Sequence, residues 1–186
     1  PPMQQGVART TEPASSLSIQ PALLLLEKTP ILLETMLRDL PEELMRWKPA
    51  PERWSIAEVL SHLADIEEVY ADRTRRIVTE ETPTLPKYDA TGTIVIGDYA
   101  RGSANEILAY FIRTRRSTVI LLRSIPADSG GREATHAELG TITLHEMLSE
   151  WASHDLGHLR QIAELYRARA FHPHAGPFQR YSNPKP

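Results

Sequence analysis

The sequence predicts an all-α fold, a four-helix bundle. Two observations carry that expectation. Three segments open on the capping pattern S/T-x-x-E: Ser55 with Glu58, Ser103 with Glu106, and Thr143 with Glu146. In this pattern the hydroxyl accepts from the N3 amide and the glutamate reaches back to the cap amide. Each box is followed by twenty or more residues whose apolar positions recur every three or four, the period of an amphipathic helix.

The first helix is expected near 20–40, with Leu33, Met36, Leu37 and Leu40 as its apolar stripe. Pro21 and Pro30 each suit a first helical turn, where no hydrogen bond is lost, so this stretch is one kinked helix or a short helix followed by a longer one. Leu23 to Leu26 are four consecutive leucines, which wrap all the way round a helix. Some of them need cover beyond one buried face.

The second helix is expected over 55–80, with Val59, His62, Leu63, Ile66, Val69, Tyr70, Arg73 and Ile77 inward. The third covers 103–124, with Ile107, Leu108, Phe111, Ile112, Val119 and Leu122 inward; Arg113, Arg115 and Arg116 read as a solvated basic face. The fourth covers 143–170, its stripe running through Leu144, Met147, Leu148, Trp151, His154, His158, Ile162 and Leu165. The long connection Thr82–Gly102 implies a crossover between helices two and three. Its Thr93–Ile96 run is a possible strand with nothing to pair with, so no sheet is expected. The organisation is a loosely held N-terminal arm (1–18), the bundle (19–171) and an extended, proline-rich tail lying on the surface (172–186).

Composition narrows the function. With 186 residues a sizeable core can be buried in one domain. The chain has no cysteine, which excludes disulfides, thiolate metal sites and a protein thiol nucleophile. Its net charge of −3 offers no general attraction for nucleic acid. The longest apolar run, Ala22–Leu26, is far short of the ~20 residues of a membrane span and lacks the basic flank and cleavage site of a signal peptide. A cytoplasmic protein is expected.

The chemistry lies in the histidines. His154 and His158 are spaced i, i+4, which stacks two imidazoles on one helix face. Two surface histidines would share that spacing, but Trp151, Ile162 and Leu165 lie on the same stripe and turn these rings inward. His62 sits on the inward stripe of the second helix. Buried imidazoles need partners, and one divalent metal held by His62, His154 and His158 satisfies all three while leaving room for water or substrate. The alternative is a bundle with hydrogen-bonded core histidines and no metal. His145 falls about 180° from His154 and should face solvent. His136 reads as a loop residue before Gly140, and His172 and His174 lie in the tail.

Three polar residues could support the site. Gln161 lies only about 20° from the direction of His154 and could orient a ring or a water. Asp65, three after His62, and Glu150, four before His154, could accept a ring N–H or move a proton. The plainer reading of each, and the one preferred on sequence alone, is a partly exposed helix residue. Arg73 could anchor an anionic substrate or form an ion pair within the bundle, and Trp54 and Trp151 read as core.

Two motifs resemble the DinB/YfiT-like superfamily. They are Trp54-Ser55-Ile56-Ala57-Glu58-Val59-Leu60-Ser61-His62 continuing to Glu67, and His154-Asp155-Leu156-Gly157-His158-Leu159-Arg160-Gln161-Ile162. The stretch from Leu85 to Asp89 and the His136…Gly140…Leu144 run are similar too, so the likeness covers roughly 22–170. The resemblance implies a four-helix bundle, often a homodimer, with a nickel- or zinc-type ion on three histidines, here His62, His154 and His158. It further implies a thiol-dependent S-transferase, using bacillithiol or mycothiol, a mycothiol-dependent maleylpyruvate isomerase, or a metal-dependent hydrolase. The expected partner is a small molecule such as a low-molecular-weight thiol. The competing reading from another class is a metal-bound bundle without turnover, serving as a binding or stress-response module.

Overall fold

The structure is a computed structural model and describes residues 17–88 and 102–186. Its long helices are α1 (Gln20–Leu37), α3 (Ile56–Thr79), α4 (Ala104–Arg123) and α5 (Leu144–Ala170), with a short α2 (Glu42–Arg46) between the first two. All three capping boxes form. Ser55 Oγ, Ser103 Oγ and Thr143 Oγ1 each accept from the N3 amide at 3.2 Å. The three cap amides donate back to Glu58, Glu106 and Glu146 at 2.7, 2.6 and 2.7 Å. Local chemistry therefore sets where these helices begin.

α1 packs against α4 and α5, and α3 packs against the same two, so α1 and α3 are diagonal. The core falls into two clusters. One joins Leu23 and Leu26 of α1, Tyr70 and Ile77 of α3, Leu122 of α4 and Leu144 to Trp151 of α5. The other joins Leu33 and Leu37, Ile56 to Leu63, Ala104 to Phe111, and Ile162 and Leu165. This order makes α3 and α4 parallel, with α1 and α5 antiparallel to them. The connection after α3 must return the length of the bundle, which is the expected crossover. The Thr93–Ile96 run and residues 1–16 lie outside the described residues.

α1 is a single helix with Pro30 inside it. A proline there cannot donate to the carbonyl four residues earlier, Leu26. That carbonyl instead accepts from Arg115 Nη1 of α4 at 3.2 Å. Leu23 and Leu26 are buried whereas Leu24 is 53% exposed, as four leucines round one helix require.

The expectation of no sheet is overturned. β1 (Thr84–Leu85) pairs in parallel with β2 (Glu133–His136), which pairs antiparallel with β3 (Gly140–Thr143). The strands are too short to announce themselves in the sequence. Leu85 and Ala134 extend the first core cluster beyond the helices. His136 is accordingly a buried strand residue rather than a loop residue, and its Nδ1 faces the amides of Glu138 and Leu139 at 3.2 and 3.4 Å, closing the hairpin. Gly140 follows with φ of +74°, a conformation that favours glycine.

Two further expectations are corrected. His145 does not face solvent: it is half-buried, with Nδ1 3.1 Å from the Ser18 carbonyl, because residues 17–19 pack over that face. The tail is not merely extended. It forms 3₁₀ turns at His172–His174 and Gly176–Tyr181, then runs back along α5. Lys185 N donates to Glu164 Oε2 at 2.8 Å, and Arg53 Nη2 donates to the main-chain oxygen of Pro186.

Candidate metal centre

The level at which the two core clusters meet holds the three histidines. His62 is brought there by α3, and His154 and His158 by successive turns of the antiparallel α5. Each is half-buried. His154 Nε2 lies 3.1 Å from His62 Nε2 and 3.2 Å from His158 Nε2. One ligating atom from each ring falls in a set whose members all lie within 4.8 Å of one another.

Hydrogen bonding alone cannot satisfy this arrangement. His158 Nδ1 donates to Gln161 Oε1 at 2.9 Å, which leaves a lone pair on its Nε2. A neutral His154 has one N–H. Placed on Nε2, the proton serves only one of two neighbours; placed on Nδ1, it is buried with no partner among the described residues. One cation accepts the lone pairs of all three. Nitrogens about 2.0–2.1 Å from a common ion stand roughly 2.8–3.4 Å apart for inter-ligand angles of about 90–110°. The two observed separations lie within that span, so the donor set fits.

The electrostatics agree. Burial, and then the neighbouring imidazoles, hold His62 down to about 4, and burial followed by His158 holds His154 down to about 4. Both are therefore neutral near pH 7, the form that ligates. Trp54 walls one side, its ring 5.1 Å from that of His62 and stacked on His158 at 6.4 Å. It is 39% exposed, so it belongs to the site's rim rather than to the core.

The supporting candidates separate. Gln161 touches a ring. Asp65 is half-buried beside the seam, and burial together with Glu68 pushes its carboxyl up to about 6. Glu150 is exposed. Among the described residues neither acid hydrogen-bonds to the three imidazoles. Arg73 donates to the Pro86 carbonyl at 2.8 Å and forms no ion pair among the described residues.

The sequence reading missed a buried charge cluster behind the site. Arg115, read as solvated, is 0% exposed. Its Nε donates to Glu67 at 2.7 Å, and Nη1 and Nη2 fork onto Asp155 at 2.6 and 3.1 Å. The guanidinium also lies 5.1 Å from the Phe111 and Trp151 rings. Burial raises the Glu67 carboxyl against the opposing pull of Arg115. A signal existed: Arg115 is four residues after Phe111 and seven after Leu108, squarely on the inward stripe. Asp155, next to His154, thus pins α5 to α4 at the level of the histidines.

A model of the DinB superfamily matches residues 25–162, a span that includes all three histidines. The chain belongs to the DinB superfamily. An Oceanobacillus iheyensis protein named "putative metal-dependent hydrolase" is 27% identical over 145 residues, 77% of this chain and 83% of that one. A Bacillus pumilus protein of the same name is 27% identical over 115 residues, 61% of this chain and 65% of its own length. Among solved structures, YfiT from Bacillus subtilis, titled "a probable metal-dependent hydrolase with an unusual four-helix bundle topology", aligns with a TM-score of 0.72 at 22% identity. That alignment covers 89% of this DinB-superfamily chain and 94% of YfiT, and at this identity it speaks for the fold.

Proposed function

We propose that this chain is a metal-dependent enzyme in which His62, His154 and His158 hold one divalent ion, nickel or zinc, for hydrolysis or thiol S-transfer. The convergence of three Nε2 atoms, two of the separations being 3.1 and 3.2 Å, is the observation that carries the reading. The names of the two curated relatives support its metal-dependent character. Bound there, such an ion lowers the pKa of a water or a thiol and so makes a nucleophile at neutral pH.

The chain's own residues do the rest. Gln161 fixes the His158 tautomer and ring orientation. Trp54 shields one flank. Asp65, whose carboxyl is poised near neutrality, is placed to hold a proton on the α3 side of the seam. With no cysteine in the chain, a thiol nucleophile must arrive with the substrate. The partner is accordingly a small molecule. A non-catalytic metal-bound module is the second reading, favoured because among the described residues neither Asp65 nor Glu150 accepts a hydrogen bond from the rings.

The test is elemental analysis of the untagged protein, followed by a screen with low-molecular-weight thiols and with hydrolysable esters and amides. His158→Ala should lose most of the metal, whereas His145→Ala and His174→Ala should keep it. Equal metal in the His145 and His158 variants after dialysis would end the reading. Metal retained without turnover in either screen would favour the module.

We also propose a cytoplasmic homodimer. No helix among the described residues is long and apolar enough to cross a membrane. Leu24, Ile31 and Ile120 are 53%, 59% and 71% exposed. Ion pairs of Glu27 with Arg123 and Glu34 with Arg116 join the two helices that carry these apolar residues.

A further inference from the structure

A cavity of about 460 Å³ opens over His154 and His158, a volume suited to a small molecule. Three cations line it from three separate parts of the chain: Arg53 before α3, Arg160 on α5 and Lys185 in the returning tail. Elsewhere in the described chain seven surface arginines pair with acids, as in Arg38 with Glu34, Arg123 with Glu27 and Arg169 with Glu43, whereas Arg75, Arg113 and Arg180 pair with none. Among the described residues no acidic side chain pairs with Arg53, Arg160 or Lys185; one donor of Arg53, Nη2, is engaged by the main-chain oxygen of Pro186. Glu164, the acid in the lining, is already engaged by Arg167 Nη2 at 3.1 Å and by the Lys185 amide at 2.8 Å.

Assembling like charges around one cavity is unfavourable unless something offsets them. The chain carries a net charge of −3, so the local excess is not a by-product of an overall basic composition. The tail is what closes the ring: the contacts of Lys185 N with Glu164 and of Pro186 with Arg53 draw it across the cavity.

We propose that this cavity binds a small organic anion, its carboxylate or phosphate held by Arg53, Arg160 and Lys185 while its other end reaches the three histidines. The proposal rests on the metal-enzyme reading for what happens at that other end, and it narrows the substrate class. Guanidinium forks suit planar carboxylates and phosphates alike. All three cations are exposed, so each contributes modestly and the binding is salt-sensitive.

The test is calorimetric titration of the full chain with succinate in one arm and inorganic phosphate in the other. Zinc-loaded protein and protein stripped with a chelator, then dialysed, are both used. Wild-type protein should bind at least one anion in both states, more weakly as salt rises to about 0.15 M, and should not bind succinamide. The stronger arm tells carboxylate from phosphate. Arg53→Gln, Arg160→Gln and Lys185→Gln should each weaken binding about two- to five-fold, and the triple variant at least tenfold, with zinc content unchanged. Arg113→Gln, on the far side of the bundle, should change nothing. Absence of anion binding, or wild-type affinity in the triple variant, overturns the proposal. Its failure would be distinct from failure of the metal reading: zinc retained without anion binding sinks this inference alone, and anion binding to stripped protein that cannot take up zinc sinks the other.

Discussion

Replacing Arg115 with alanine tests how the bundle is held behind the site. The side chain is 0% exposed and donates four hydrogen bonds: one to Glu67, two to Asp155 and one to the Leu26 carbonyl that Pro30 leaves open. Truncation leaves the buried Asp155 side chain and the Leu26 carbonyl without their donor. Glu67 contributes less to the penalty, because burial already raises its pKa and so eases its protonation. Removing one partner of a buried ion pair costs about 3–5 kcal/mol. For a chain of this size that corresponds to a fall of roughly 6–20 °C in Tm. The double variant Arg115→Met with Asp155→Leu removes both charges and fills the space, so it should recover most of the loss. Urea unfolding monitored by helical circular dichroism measures all three proteins. An Arg115→Ala penalty under about 1 kcal/mol, or a double variant no more stable than the single, would refute the reasoning.

Gln161→Leu should keep the fold but release the His158 ring, lowering metal affinity about tenfold to a hundredfold in a competition titration with a chromogenic chelator. In metal-free protein His62 and His154 sit near 4, below the value of about 6.5 expected in the unfolded chain. Between those values the unfolded state binds more protons, so their contribution to stability is intact above pH 6.5, falls as pH drops and levels off below 4. The urea midpoint of wild type relative to His154→Gln should therefore decline from pH 7 to 4.5; a constant difference would contradict the depressed pKa. For the dimer, light scattering at micromolar concentration should give twice the 21.0 kDa chain mass, and Ile31→Glu should halve it. A monomeric wild type would remove that proposal.

Much of this protein was legible locally. A capping box is chemistry within four residues, so Ser55, Ser103 and Thr143 mark three helix starts without reference to the rest of the chain. The stripe that carries Trp151, Ile162 and Leu165 inward also turns His154 and His158 inward, and the same period does so for His62. What only the tertiary structure decided depends on groups far apart in sequence. The two-residue β1 has no periodicity to read and exists because residues 133–136 lie beside it. Arg115 looked solvated because its neighbours Arg113 and Arg116 are; its burial needs Glu67 and Asp155 from two other helices, and a lone sequence stripe cannot report partners 48 and 40 residues away. Arg53 and Lys185 reach one cavity only because the tail turns back along α5, and no local rule dictates the path of a proline-rich end. The helices follow from short-range hydrogen bonding and periodicity, whereas the charge cluster and the basic rim follow from long-range packing.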